Sequence, residues 1–333
     1  MQYDAFLLVS FGGPERSEDV VPFLQNVLRG REVPPERLVQ FAEPYELFGG
    51  ESPLNAQNRA LIASVVEEFT SASLPLPVYW GNRNWHPMLA DTIREMAEDG
   101  VNRALAFVTS PFASYSGCRQ YIENIESARQ EVGPSAPKVD KLRLFYNHPG
   151  FVEPMAERVS KALEQVPADR RQGARILYSV HSLPVSMAQK CEYEAQAKET
   201  ARLISGVLGQ RNWQLVYQSR SGRPSEEWLT PDLGDYLVET KKKENIEDVV
   251  IVPIGFISEN MEIVYDLDIQ IRDLCEVLGV NMVRSQVVGC HKRFVKMIHE
   301  LVEERFDSLV PRLALGDRGP SPDQCPADCC PRG

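Results

Sequence analysis

Ala174-Arg-Ile-Leu-Tyr-Ser-Val-His-Ser-Leu-Pro184 is the stretch whose reading decides the fold. Its apolar run, residues 174–178, reads as a buried parallel strand. The run stops at His181, and Pro184 prevents the strand from continuing. In an open α/β sheet, ligands sit at the carboxyl ends of the strands. An imidazole there exchanges a proton near neutral pH, or binds a metal through a ring nitrogen. The alternative is a histidine merely satisfied at a strand end, and this stretch alone leaves both open.

Working outward, the same pattern recurs on both sides. Upstream, residues 5–10, 78–81, 103–110 and 141–146 read as strands. Helices are expected between and around them at 18–29, 56–70, 88–98 and 121–132. Breaks fall at 30–35 and in the Gly-rich loop 48–55. Downstream, strands are expected at 213–219, 248–253 and 280–285. Helices are expected at 151–166, 185–208, within 233–244, at 262–277 and at 294–306. Strands alternating with helices at this spacing mean parallel sheets with helices on both faces. The class is therefore α/β, with two similar Rossmann-like domains, residues 1–150 and 151–306, and a cleft between them. Residues 307–333 form a tail of Pro, Gly, Asp and Cys with no apolar period, expected to be loose without a bound ion.

Composition limits the function. The chain has 333 residues, is 43% hydrophobic and 25% charged, and carries a formal net charge of −11. A nucleic-acid binder usually shows a basic face instead. No apolar run approaches the ~20 residues needed to span a bilayer. The first ten residues enter a strand without a basic stretch, so no leader is expected and a cytoplasmic location follows by default. Seven cysteines, an odd number, argue against a disulfide framework in a reducing compartment. No Walker A or Gly-x-Gly-x-x-Gly fingerprint is present, which argues against nucleotide use.

A second stretch changes the weight on His181. Pro253-Ile-Gly-Phe-Ile-Ser-Glu-Asn-Met-Glu262 comes after another buried strand, so it lies at the same sheet edge. Glu262, Asp266 and Gln270 are spaced four apart and share one face of a regular helix. Two carboxylates at that spacing repel, so either they are simply solvated or a cation visits them. Imidazole with carboxylate suits divalent first-row metals, Fe2+ among them.

At this point the sequence resembles the ferrochelatases, enzymes that insert Fe2+ into a porphyrin. The resemblance rests on five stretches in family order: Leu8-Val-Ser-Phe-Gly-Gly-Pro14, Gly49-Gly-Glu-Ser-Pro-Leu-Asn55, His181-Ser-Leu-Pro184, residues 216–222 with 228–232, and residues 253–262. The Ser116-Gly-Cys-Arg-Gln-Tyr121 segment is most similar to the actinobacterial type, whose members generally act on coproporphyrin III; protoporphyrin IX is the alternative substrate. A non-catalytic haem or porphyrin carrier and an iron–sulfur redox protein are readings of other classes. The presence of both His181 and Glu262 speaks against a carrier, because binding needs only a pocket.

The resemblance implies roles residue by residue. His181 and Glu262 would bind or deliver the iron and remove the two pyrrole protons. Asp266 and Asp268 match an acidic ladder behind Glu262, with Asp266 a secondary metal contact. Gln270 departs from that ladder. Ser52 and Tyr121 match porphyrin contacts, and Arg29 and Tyr45 fall where propionates are held. Arg29 also reads as a charge at a helix C-terminus. Phe11 stands where some relatives place a tyrosine that ligates product iron, a role phenylalanine cannot fill. Cys325, Cys329 and Cys330 offer three thiols, with Cys118 the implied fourth, and a [2Fe–2S] cluster takes four. Zinc or free thiols are the alternatives there. Cys191, Cys275 and Cys290 are expected to be small buried hydrophobes. Trp80, Trp85 and His86 are expected to form wall or core around residues 81–83.

Overall fold

The computed structural model describes residues 3–30, 34–221, 225–326 and 328–332. Part of the expected break at 30–35, and Gly222 of the 216–222 motif, lie outside them. Two four-stranded parallel sheets succeed one another along the chain. The first contains β1 (Ala5–Ser10), β2 (Val78–Asn82), β3 (Arg103–Val108) and β4 (Lys138–Lys141), in the order β2-β1-β3-β4. The second contains β5 (Arg175–His181), β6 (Trp213–Gln218), β7 (Asp248–Val252) and β8 (Asn281–Arg284), in the order β6-β5-β7-β8. The central strands are buried along their length, Phe6 to Val9 in β1 and Ile176 to Val180 in β5. Such runs are what helices on both faces of a parallel sheet require. Each large apolar side chain so buried contributes about 1.5–3 kcal/mol.

Aromatic packing joins the halves. Phe107 of β3 stacks on Phe145 with centroids 5.2 Å apart, and Phe145 meets Phe151 and Phe294 edge-on at 5.4 and 5.7 Å. Phe151 lies on helix Pro149–Glu164 and Phe294 on helix Lys292–Phe306. The latter helix also packs on helix Pro53–Ser71 of the first half, where His299 Nδ1 lies 3.1 Å from Glu68 Oε1. A buried bidentate pair, Arg143 with Glu304 at 2.7 and 2.8 Å, closes the junction, and Arg143 also donates to the Leu313 carbonyl at 2.9 Å. No helix among the described residues is long and apolar enough to cross a membrane.

Four expectations are corrected. Residues 142–146 are not strand: β4 ends at Lys141, and buried Leu142, Leu144, Phe145 and Tyr146 leave the sheet to fill the junction. Their apolarity serves a core between two sheets rather than the face of one. Helix Pro35–Glu46 goes unpredicted; Pro44 sits inside it. The helix expected at 185–208 is two, Val185–Ala188 and Tyr193–Leu208, with Cys191 in the turn between. The tail is irregular but tied down: Leu315 N–H donates to Asn147 O at 2.8 Å, Asn147 Nδ2 to Gly319 O at 2.8 Å, and Arg312 to Ser321 O at 2.8 Å.

Candidate active site

His181 ends β5 and is half-buried. Its Nδ1 is hydrogen-bonded to the Ser182 carbonyl, which only accepts, so Nδ1 carries the proton. Nε2 then faces the cleft, 3.2 Å from Glu262 Oε1. Tyr193 holds the strand end from behind, its hydroxyl donating to the His181 carbonyl at 2.8 Å. A neutral imidazole with this tautomer would aim a lone pair at a carboxylate oxygen. The pair is therefore satisfied only by a proton or a cation between its members. Burial disfavours charge on His181, but the Glu262 carboxylate and its hydrogen bond, the Ser182 carbonyl and Asp266 outweigh it and push the imidazole up to about 9.

Glu262 sits in the short helix Met261–Val264, and Gln218 at the end of β6 fixes it by donating to the Glu262 carbonyl at 2.6 Å. Beyond Val264 the chain does not continue as a regular helix. Asp266–Ile271 winds as a wide π turn, with Gln270 N–H donating to Tyr265 O at 3.0 Å, before Arg272–Leu278 resumes the α form. Such turns recur at functional sites because they re-aim side chains. The single face expected of Glu262, Asp266 and Gln270 is accordingly broken up. Asp266 stays with Glu262, where burial raises it to about 6; the Ser219 hydroxyl and His181 hold it down, and Glu262 adds to the rise. Ser219 has a left-handed backbone, φ 60°, and donates to Asp266 Oδ2. Asp268 turns away to Arg284, with bonds of 2.6 and 2.9 Å, so it is no part of an acidic ladder. Gln270 is exposed.

The first half supplies the opposite wall. Burial raises the Tyr45 hydroxyl well above its ordinary value, and Glu262 and Asp266 across the cleft add to it. Tyr45 thus faces carboxylates, where a second anion such as a propionate is disfavoured. Phe11, 38% exposed, meets Phe23 edge-on at 6.2 Å. Tyr121 is buried beneath the Arg83 guanidinium, 4.5 Å from its ring centroid, and Arg83 also lies 5.7 Å from Phe11. Ser52 is buried and occupied as the N-cap of helix Pro53–Ser71, accepting from Leu54 N–H at 3.4 Å. Its role is to start that helix beside the Gly13 turn, rather than to reach into open space. Arg29 is exposed beyond the end of helix Ser17–Val27, donating to Asn26 Oδ1 at 2.8 Å. Trp80 does form wall, with its Nε1 donating to Ser10 and Asn82.

Sequence reasoning missed Gln218, Ser219 and Tyr193 as supports of the pair. The first two lie in the 216–222 motif, which was the available signal; Tyr193 had none.

Cys118, in the π turn Tyr115–Arg119, lines one cavity of about 300 Å³ with Cys325, Cys329 and Cys330. Cys329 and Cys330 sulfurs are 3.4 Å apart. Among the described residues, no three His, Cys, Asp or Glu side chains gather closely enough to hold a single metal ion. Cys275 is buried as expected, but Cys290 is exposed. Cys191 is half-buried, its thiol donating to the Met187 and Ala188 carbonyls at 3.5 Å, so it is no fully buried core residue. The split of the expected long helix at 188–193 puts it there.

Fold and site together define a two-lobed α/β protein whose cleft offers an imidazole and a carboxylate to a cation. The sequence model of the ferrochelatase family matches residues 3–306. A ferrochelatase of Rhodopirellula baltica is 52% identical over 98% of this chain and 93% of its own. A coproporphyrin III ferrochelatase of Streptomyces coelicolor is 47% identical over 99% and 93%. Among solved structures, SirB from Bacillus subtilis with Fe3+ is similar with a TM-score of 0.57 over 93% of this chain and 99% of that one; at 13% identity this bears on the fold alone. The chain belongs to the ferrochelatase family.

Proposed function

We propose that the chain inserts Fe2+ into coproporphyrin III with release of two protons, a lyase-class step of haem biosynthesis. The observation that carries this is the His181–Glu262 pair, whose facing atoms at 3.2 Å require a proton or a cation between them. The relatives described as coproporphyrin III ferrochelatases support the choice of porphyrin.

Metalation removes two pyrrole N–H protons, so a base must stand beside the ring. His181 is that base once its own proton has left, and Glu262 holds either the resulting imidazolium or the incoming cation. Asp266, with a pKa near 6, keeps a second negative charge behind Glu262 at neutral pH and favours cation entry. Phe11 serves as an aromatic wall for the macrocycle, with Tyr121 held beneath Arg83 as support behind it, and Arg29 as a propionate contact. Tyr45 closes the carboxylate side, and Ser52 shapes the turn beneath the wall.

The division at residues 150 and 306 belongs to the same reading, as do a cytoplasmic location and exchange of porphyrin and product with neighbouring haem-pathway enzymes. The tail belongs to it as well. A [2Fe–2S] cluster takes two thiolates per iron, and four thiols on one cavity fit that donor set without three of them meeting at one point. Cys118, Cys325, Cys329 and Cys330 would hold it, and when bound it supplies a redox-active tie between tail and first half.

The test is anaerobic Fe2+ with each porphyrin, tracked by absorbance. Metalation of coproporphyrin III in preference is expected. Failure with both porphyrins overturns the enzyme, and preference for protoporphyrin IX reverses the substrate. For the tail, a brown protein is expected to lose its visible bands in Cys118→Ser; bands that persist exclude Cys118 as a ligand.

A further inference from the structure

We propose that Arg284 is a positioning residue for metal insertion, its guanidinium clamping both ends of the segment that carries Glu262 and Asp266. Arg284 stands at the carboxyl end of β8, in register with Ile251 of β7. The chain leaving β7 runs on to Glu262, so an arginine at this strand end lies beside its path. Arg284 Nε and Nη2 donate to Asp268 Oδ1 and Oδ2 at 2.6 and 2.9 Å. Nη1 donates to Glu259 Oε1 at 3.0 Å and to the Ser285 carbonyl at 3.1 Å. The side chains of Arg284 and Glu259 are each 16% exposed.

One cation against two carboxylates leaves an excess negative charge, and a largely buried cluster of that kind is a weak source of stability. What it supplies is geometry. The planar fork fixes Asp268 through two parallel bonds, and the third nitrogen fixes Glu259. Glu262 stands three positions after the first anchor and Asp266 two before the second. Between the anchors, Gln218 holds the Glu262 carbonyl and Ser219 holds Asp266. The segment is one short helical turn followed by a π turn, not a regular helix. Where its side chains point is therefore set by what holds its ends. Arg272 lies 3.7 Å from Asp268 at i+4. It stands at the same end of the segment and cannot tie the two together.

The first anchor also reaches the other half. Glu259 N–H donates at 2.9 Å to Gln57 Oε1 of helix Pro53–Ser71, the helix that Ser52 starts. The clamp thus fixes the two carboxylates relative to the first half as well as within their own sheet.

This role rests on metal insertion being the reaction, so the unaltered protein is assayed first, with Zn2+ and each porphyrin. Arg284→Lys keeps the positive charge beside both carboxylates but loses the fork. Small misplacements at a site cost up to about 10²-fold, so KM for the metal should rise about tenfold, with KM for the porphyrin within about twofold. A merely structural role would lower the active fraction, and so the apparent kcat, with both KM values unmoved. Asp268→Asn and Glu259→Gln should each raise the metal KM by a smaller factor. Asp268→Asn in the Arg284→Lys background should add little, because groups acting as one unit are not additive. An unmoved metal KM in Arg284→Lys overturns the proposal, and so do losses that simply multiply. If Arg284→Lys does not fold, the two carboxylate variants decide by the same KM readout. An unaltered protein that metalates neither porphyrin removes the reaction itself, and this role with it.

Discussion

The two halves place equivalent residues at equivalent strand ends and do opposite things with them. In the first sheet Ser10 of β1 stands in register with Asn82 of β2; in the second, His181 of β5 stands in register with Gln218 of β6. Ser10 and Asn82 bond to each other, Asn58 Nδ2 donates to Ser10 at 2.8 Å, and Trp80 Nε1 donates to Ser10 and Asn82 at 3.2 and 3.0 Å. Both residues are buried. Neutral donors and acceptors closing on one another make a stable wall. The second edge cannot close in this way, because His181 and Glu262 need a proton or a metal between them. One topology thus supplies two strand edges, and residue chemistry makes one a support and the other a site.

The sharpest way to break the contrast is His181→Ala. Iron insertion should fall by about 10²–10⁴, the usual share of a positioned acid–base group, while porphyrin binding, read by absorbance, changes little. Retained insertion would remove His181 from the chemistry. Glu262→Gln should cost somewhat less, and it should return the His181 imidazole from about 9 toward its ordinary 6.5, seen by NMR titration. An unmoved titration would mean that Glu262 is not what holds the proton.

The pH profile sharpens the same point. His181 has a folded value raised above its unfolded one. Its imidazolium–carboxylate pair therefore stabilises the fold fully below about 6.5, and that contribution is lost as pH rises through about 9. The base form grows over the same range. Insertion, measured with Zn2+ in place of oxidisable Fe2+, should therefore rise from pH 6 toward 9, and the rising limb should shift down in Glu262→Gln. A flat profile in the unaltered protein would contradict this.

On the other side of the comparison, Asn82→Ala should act on stability rather than chemistry. It strips partners from Ser10, Trp80 and Asn55, at about 1–3 kcal/mol. Thermal unfolding should show a drop of several degrees, with insertion per folded molecule nearly unchanged. A catalytic loss as large as that of His181→Ala would abolish the distinction between the halves. The smallest effect is expected from Asp266→Asn, less than about tenfold on insertion, because Asp266 acts on His181 from behind Glu262.

Much of this was legible in the sequence because parallel strands announce themselves. Residues 5–10, 103–108 and 174–180 are apolar almost without interruption, and that pattern has few other uses. His181 was readable as a strand end because Pro184 comes soon after it. Residues 142–146 were misread for the same reason: buried apolar residues look alike whether they face a helix or a second sheet. Helix Pro35–Glu46 escaped because Pro44 reads as a breaker although it sits within the helix. The acidic face was misread because a period of 3.6 was assumed where the chain winds wider.

By itself the sequence determined the central strands, the two-sheet class and the candidate pair, since strand burial and proline breaks are local and short in range. Tertiary structure alone decided what the other residues do. It turned Asp268 to Arg284, set Tyr45 against two carboxylates, used Ser52 as a helix cap, and brought Cys118 onto one cavity with the tail cysteines. The physical reason is that a side chain's charge state and partners depend on what the fold packs beside it. Contacts between distant segments, unlike strand periodicity, leave no mark in the neighbouring sequence.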